Sequence, residues 1–272
     1  MSSKVTAVAP ANIAFIKYWG ALDLDRAIPV NASISMTLAR CLSRCTVEFL
    51  AGSREGDQVD LVDDDGSSSP APDAFAVRIL RHLERLRGWS GLVGAFHVAT
   101  RNTFPSAAGL ASSASGFAAL TLAVTRALGV TLDPGELSRL ARESGSGSAA
   151  RSALGGYVEW PVGPEEQCRA AALAEREHWN LRDVIAVVDT RPKAVSSLDG
   201  HGRASSSPYF AVRQARLPDR LVKVRDAIAR RSFEDLVPVV EEEAVDLHLI
   251  AMSSRPPIFY WRPGTVAVME AV

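Results

Sequence analysis

The sequence predicts an α+β protein built as two lobes, and three features of the chain carry that expectation. The N-terminal part alternates apolar and polar residues at strand spacing. Residues 105–116 join a small-residue loop to a strongly apolar helix, and beyond the strand-like run Val184-Ile185-Ala186-Val187-Val188 the pattern is mainly helical. With 272 residues the chain has material for one large or two modest domains and a sizeable core.

Taken in order, residues 4–9 read as a short strand that Pro10-Ala11-Asn12 breaks before 13–20. Residues 34–38 and 46–51 read as a strand pair. The polar, turn-rich stretch 63–70 is the best exposed loop; 74–86 has helical spacing, and 92–98 reads as a strand leading into the small-residue loop. An apolar helix follows over 117–128. Asp133 as N-cap, Pro134 at N1 and Glu136 at N3 then start a helix ending at Arg142. Ser144-Gly145-Ser146-Gly147-Ser148 has a linker's composition but is too short and too close to core-like sequence to divide domains, and a strand is expected near 156–160. The boundary falls in the mixed segment near 167–180, dividing the chain into 1–180 and 181–272. Ser207-Pro208 opens a helix to about Arg230, Ser232 with Asp235 caps another to about Met252, and Pro263 begins a third.

Composition narrows the function classes. Hydrophobic residues at 47% and charged residues at 22% exclude disorder and a fibrous fold. Thirty basic against 31 acidic residues leave a net charge of −1, so no global field gathers nucleic acid or an acidic membrane, and neither partner is expected. Cys41, Cys45 and Cys168 are odd in number and lack metal-ligand spacing, which fits free thiols in a reducing cytoplasm. The N-terminus has no signal-peptide pattern. No run reaches the ~18 apolar residues of a membrane span, Arg126 interrupting the best one.

The loop Pro105-Ser106-Ala107-Ala108-Gly109-Leu110-Ala111-Ser112-Ser113 has the layout of an anion site. A helix start leaves N–H groups unpaired, small residues let a phosphate approach them, and the helix dipole favours its charge. Ser112 and Ser113 add hydroxyls for phosphate or Mg²⁺. Small residues also permit close helix packing with no ligand, and the pattern is not the P-loop consensus, which places Lys-Ser/Thr after the loop. Three more clusters lie in loops: Lys17-Tyr18-Trp19-Gly20, a cation beside two aromatics; Ser146, Ser148 and Arg151, hydroxyls and a guanidinium suited to carboxylate or phosphate; and Lys193-Ala194-Val195-Ser196-Ser197. His82, His97 and His248 read as packed or solvated, Glu241-Glu242-Glu243 as a solvated helix turn, and Tyr157 and Trp160 as core.

In this arrangement the chain resembles the GHMP small-molecule kinase superfamily and, within it, the mevalonate diphosphate decarboxylases. The resemblance rests on Ala11-Asn12-Ile13-Ala14 with Lys17-Tyr18-Trp19-Gly20, Asn31 with Ser33-Ile34-Ser35, and Asn102 with Phe104-Pro105 leading into Ala107 to Ala114. It continues through Gly145-Ser146-Gly147-Ser148 with Arg151-Ser152, Gly155-Gly156, Glu159-Trp160, Val195-Ser196-Ser197, Ser207-Pro208-Tyr209 and Arg255-Pro256-Pro257. It implies a two-lobed GHMP kinase fold, with a left-handed βαβ-type phosphate-loop unit in the N-terminal lobe and a smaller ferredoxin-like C-terminal lobe. It also implies ATP with Mg²⁺, and ATP-dependent decarboxylation of mevalonate 5-diphosphate to isopentenyl diphosphate in isoprenoid biosynthesis. By the same carry-over Ser106, Ala107, Ala108, Gly109, Leu110, Ala111, Ser112 and Ser113 hold the ATP phosphates, with Ser112 or Ser113 near Mg²⁺. Lys17 approaches the reacting phosphoryl or hydroxyl and Arg151 grips the substrate carboxylate. Ser146 and Ser148 take the substrate phosphate, Tyr18 and Trp19 shape the pocket, and Ser197 meets the substrate. A homodimer is common among such relatives.

The sequence departs from the family at three places. The family's Asp-Ala-Gly-Pro-Asn motif, which carries its catalytic aspartate, is expected beyond the Pro-Pro segment and the following helix, and no segment of this chain supplies it; a truncation of the C-terminal lobe is the expectation. Ala21 stands where diphosphate-specific members have a lysine, which opens mevalonate 5-phosphate as an alternative substrate unless Arg26 compensates. Leu198-Asp199-Gly200-His201 stands where the family favours Thr-x-Gly-Met, with His201 expected in solvent. A kinase of the 3-hydroxyl that stops before decarboxylation, or a fragment that only binds nucleotide and substrate, are the further alternatives.

Overall fold

The computed structural model describes residues 2–104, 112–189, 191 and 194–272. Its elements are β1 (Ser2–Ile16), β2 (Ala21–Asp23), β3 (Ile28–Pro29), β4 (Ser33–Ala51), β5 (Gln58–Val62), β6 (Ser68–Pro70), α1 (Asp73–Ser90), β7 (Gly94–Asn102), α2 (Ser112–Ala127), α3 (Pro134–Arg142), α4 (Ala149–Ser152), β8 (Tyr157–Trp160), β9 (Ala171–Ala174), α5 (Ser197–Arg203), α6 (Phe210–Arg230), α7 (Phe233–Ser253) and α8 (Pro263–Ala271).

Two long antiparallel strands organise the sheet. β1 pairs with β4 from Ser2 opposite Leu50 to Ile16 opposite Ile34, with register shifts at Pro10/Asn12 and Ala14/Ile16. The break expected at Pro10 is therefore a bulge within one continuous strand, which accommodates a residue with no N–H to donate. Residues 34–38 and 46–51, expected as a strand pair, are two parts of the single strand β4. Its second edge is divided: β7 pairs with Ser43 to Ala51 and β8 with Ser33 to Met36. With β5, β6 and β9 added at the flanks, seven strands among the described residues form one mixed sheet.

Among the described residues, two of the four apolar clusters hold most of the elements together. In the first, Val47, Phe49, Phe96 and Val98 of the sheet meet Leu83 and Leu86 of α1, Phe117, Leu120 and Val124 of α2, and Leu140 of α3. α2 is apolar over most of its length because most of its residues from Ala114 to Ala127 are buried, with Arg126 exposed. Within this core His82 pairs through Nε2 with Thr121 Oγ1 at 2.8 Å, and burial pushes its imidazole down to about 3, so the ring is neutral. In the second cluster Phe15, Ile16, Ile34 and Tyr157 pack against Leu217, Leu221, Val224 and Ile228 of α6 and Leu236 and Val239 of α7. This cluster docks the C-terminal helices onto the sheet where β1 ends.

Helix starts follow the sequence signals. Asp133 accepts from the Glu136 N–H at 3.1 Å to cap α3, and Ser232 accepts from the Asp235 N–H at 3.4 Å to cap α7. The strand expected at 184–188 does not form: the run joins no sheet, and Val184 is 92% exposed. A strand needs a neighbour for its ladder of hydrogen bonds, and β9 is the last strand among the described residues.

These positions predict unequal mutational costs. Leu83→Ala should destabilise the protein by about 2–5 kcal/mol in urea unfolding, whereas Val184→Ser should stay within about 0.5 kcal/mol. Acid sensitivity follows from His82. The unfolded imidazole binds a proton below about 6.5 and the folded one only near 3, so stability falls as pH drops through that window. His82→Met should reduce the slope of unfolding free energy against pH there by up to about 1.4 kcal/mol per unit.

Candidate active site

Where β1 ends, the chain is held by a buried carboxylate. Glu243 of α7, 2% exposed, accepts from Arg213 Nη2 at 2.5 Å and Arg220 Nη1 at 2.9 Å, both on α6. Its Oε1 also accepts the Lys17 N–H at 3.3 Å, while the Lys17 carbonyl accepts from Arg213 Nη2 at 2.8 Å and Asn31 Nδ2 at 2.9 Å. Glu241 and Glu242 face solvent as expected, but Glu243 does not, because a helix turn directs one of three consecutive residues inward and two guanidiniums wait there. Lys17 is thus fixed at its backbone and its side chain is half-exposed.

The next residues build the wall. Tyr18 is buried and meets Trp160 edge to face at 4.9 Å; burial raises its phenol pKa, with Arg142 and Arg151 opposing, so the phenol is neutral. Trp19 packs with Ala204, Ile250, Ala251 and Ile258. Two glycines permit this wall: a Cβ at Gly147 would lie 2.6 Å from Tyr18 Cε1, and one at Gly200 would lie 2.4 Å from Trp19 Cη2.

Beside Tyr18, the short helix α4 supplies Arg151, whose side chain is fully buried. Its Nε donates to Ser35 Oγ at 2.9 Å, Nη1 to Ser33 Oγ, and Nη2 to Asn12 Oδ1 and Ser148 Oγ, each at 3.3 Å. The guanidinium also lies 5.9 Å from the Trp160 ring centre. All these partners are neutral, and among the described residues no carboxylate pairs with it. Burial accordingly pulls its pKa down to about 10, with Tyr18 opposing.

The head of α2 joins the same region. Ser113 Oγ lies 3.3 Å from Ser146 Oγ, and Ser112 occupies the same first turn with its carbonyl accepting from Ser115 Oγ at 3.3 Å. Ser115 Oγ lies 2.7 Å from Ser43 Oγ, which donates to Asn102 Oδ1 at 2.5 Å, so both flanks of the small-residue loop are tied to β4. Ser106, Ala107, Ala108, Gly109, Leu110 and Ala111 lie outside the described residues, as does Lys193. Among the described residues no group of three or more His, Cys, Asp or Glu suits a metal ion. Serine hydroxyls at the head of α2 are instead the donor type that completes Mg²⁺ coordination when phosphates supply the rest.

Lys17, Tyr18, Trp19, Ser113, Ser146, Ser148 and Arg151 thus share one connected region. Ser197 is exposed at the start of α5, beside the N-cap Ser196, and among the described residues it makes no hydrogen bond to this group. The Arg26 guanidinium pairs with Glu165 at 2.6 Å. His201 departs from its expected place in solvent. Its Nδ1 accepts the Gly20 N–H at 3.0 Å, and its ring lies 4.1 Å from Tyr18 and 4.8 Å from Trp19. The readable signal was its position, where the resemblance expects methionine, an apolar and enclosed side chain. Asn12, Ser33 and Ser35 belonged to quoted motifs without a role; they hold Arg151.

Residues 9–171 match the diphosphomevalonate decarboxylase-like N-terminal domain family, and residues 183–272 match the mevalonate 5-diphosphate decarboxylase C-terminal domain family. The chain belongs to the diphosphomevalonate decarboxylase family. It is 36% identical over 288 residues to the diphosphomevalonate decarboxylase of Candida albicans, covering 100% of this chain and 77% of that one. Against the enzyme of Ganoderma lucidum it is 34% identical over 285 residues, covering 99% and 70%. The fold matches the crystal structure of mevalonate diphosphate decarboxylase from Staphylococcus aureus with TM-score 0.88 and 31% identity, over 100% of this chain and 81% of that one. A structure of MDDEF in complex with MVAPP, AMPPCP and magnesium matches with TM-score 0.84 and 31% identity, over 99% and 81%. The α+β architecture is the GHMP kinase fold of this family. Among the described residues no helix is long and apolar enough to cross a membrane.

The clamp on Lys17 is open to a direct measurement. Glu243→Ala strands two buried guanidiniums, and unfolding in urea should show a loss of about 3–5 kcal/mol.

Proposed function

We propose that this chain catalyses the ATP-dependent decarboxylation of mevalonate 5-diphosphate, giving isopentenyl diphosphate, ADP, phosphate and carbon dioxide. The observation that carries the reading is Arg151: a fully buried cation held only by hydroxyls, an amide and an aromatic face. Buried charges are ordinarily paired, and one oriented by neutral groups keeps its field for an incoming anion. A carboxylate that also bears phosphates is such an anion, and family membership supplies its identity.

The residue roles follow from position. Arg151 provides the positive potential for the substrate carboxylate and orients Ser148; four of its N–H groups are engaged, which leaves one of the usual five on Nη1. Ser146 and Ser148 take the 5-phosphate end, Tyr18 and Trp19 enclose the carbon skeleton and exclude water, and Ser197 approaches from the C-terminal part. Lys17, held by its backbone, places its ammonium toward the reacting oxygens. The N–H groups of 106–111 with Ser112 and Ser113 hold the nucleotide phosphates and Mg²⁺. ATP, when bound, supplies the γ-phosphoryl that makes a phosphate leaving group of the tertiary 3-hydroxyl. As that phosphate departs, positive charge grows on the substrate and the adjacent carboxylate relieves it by leaving as carbon dioxide. We take 1–180 and 181–272 as the two lobes that meet across this crevice, in a chain acting in the cytoplasm and able to form a homodimer.

The test follows carbon dioxide and ADP separately with ATP, Mg²⁺ and mevalonate 5-diphosphate, and repeats the assay with mevalonate 5-phosphate. Equimolar carbon dioxide and ADP from the diphosphate are expected, and Arg151→Gln should lower kcat/KM by about a hundredfold or more. ADP without carbon dioxide would make the chain a kinase of the 3-hydroxyl. Binding without either product would make it a ligand-binding protein, and an unchanged rate in Arg151→Gln would overturn the site assignment.

A further inference from the structure

His201 is a side chain that the resemblance does not provide for, and it packs against Tyr18 and Trp19 beside the turn that follows Lys17. Its Nδ1 accepts the Gly20 N–H at 3.0 Å, so the proton of the neutral ring resides on Nε2. The ring is clasped between Tyr18 and Trp19, at 4.1 and 4.8 Å, and cannot turn without breaking both contacts. Among the described residues Nε2 has no hydrogen-bond partner. Burial, and then the charges of Lys17, Arg213 and Arg151, hold the imidazole down to about 3, so it stays uncharged. The result is a fixed neutral N–H donor, and the charges that act on it most strongly are the cations Lys17, Arg213 and Arg151. Such a donor suits an anion's oxygen, since it adds a directed bond without adding charge repulsion among the cations.

Position 21 supplies the complementary observation. Ala21, next in sequence to the Gly20 that His201 tethers, carries no donor where diphosphate-specific members have a lysine, and Arg26 is occupied by Glu165. One donor is thus missing and another is present on the adjoining turn.

We infer that His201 determines how the phosphate end of the substrate is held: its Nδ1 fixes the turn from Tyr18 to Gly20, and its Nε2–H donates to a phosphate oxygen of phosphorylated mevalonate in place of the lysine absent at position 21. This rests on the decarboxylase reading and adds to it a residue that the resemblance does not assign.

Three substitutions separate the two nitrogens. His201→Asn keeps an acceptor for the Gly20 N–H but has no distal donor, His201→Gln restores a distal N–H, and His201→Met restores the residue the family favours. Calorimetry with mevalonate 5-diphosphate, and KM values for that compound and for ATP, give the readout. His201→Asn and His201→Met should weaken the substrate by about tenfold, with KM for ATP unchanged and His201→Gln recovering most of the loss. Nitrogen NMR of the parent protein should show a neutral imidazole protonated on Nε2, whose N–H resonance moves when mevalonate 5-diphosphate is added; this readout needs no variant to fold. Equal affinity in the parent and His201→Asn, or an Nε2 resonance that the substrate leaves in place, would overturn the assignment alone. A parent chain that binds neither phosphorylated mevalonate would overturn the functional reading and this assignment with it.

Discussion

The crevice depends on one buried carboxylate. Glu243 receives guanidinium bonds from Arg213 and Arg220 and the backbone N–H of Lys17, so a single side chain of α7 fixes α6 and the end of β1 together. A buried ion pair contributes little net stability, since desolvation offsets most of the Coulomb attraction; what it provides is a unique geometry, because any other register leaves charges unpaired. Here that geometry sets where Lys17 begins, and the residues after it, Tyr18 to Gly20, inherit their placement. Asn31 strengthens the arrangement by donating to the carbonyls of both Lys17 and Ala32.

The two apolar clusters divide the labour around this point. The first, under α1 and α2, carries the scaffold on which Asn102 and Ser115 are joined through Ser43. The second presses α6 and α7 against Phe15, Ile16 and Tyr157, and without it Glu243 could not reach Lys17. The placement of Lys17 is therefore coupled to packing between the sheet and the C-terminal helices.

Much of this was legible in the sequence. Caps such as Asp133 and Ser232 announced their helices because the capping bond is local, between residues three apart. The clusters at 17–20, 112–113 and 146–151 stood out as loop segments that combine hydroxyls, cations and aromatics, and the structure brings Tyr18, Ser113, Ser146, Ser148 and Arg151 into one region. What the sequence hid was long-range. Nothing near Glu243 distinguishes it from Glu242, since its partners lie on another helix and at the end of β1. His201 looked like a solvent residue because its burial depends on Tyr18 and Trp19, far away in the chain. Proline 10 read as a stop because a bulge is a property of two strands and not of one. The run 184–188 failed in the opposite direction: its β-branched residues satisfy the local preference for a strand, but a ladder needs a partner.

The electrostatics of the crevice follow from which partners its cations have. Arg213 is neutralised by Glu243 and serves structure. Arg151 is surrounded by Ser33, Ser35, Asn12 and Ser148, groups that orient a guanidinium through their lone pairs without cancelling its charge. A carboxylate in their place would stabilise the empty crevice and then compete with any anionic ligand, whose binding would first have to break that pair. Hydroxyls avoid this competition at the cost of leaving a desolvated cation, which is the cause of its lowered pKa. The same logic extends to Tyr18 and His201, both held neutral by burial and so unable to screen the field. In a low-dielectric interior an uncancelled charge acts over several ångströms, so the crevice is polarised toward an anion before one arrives.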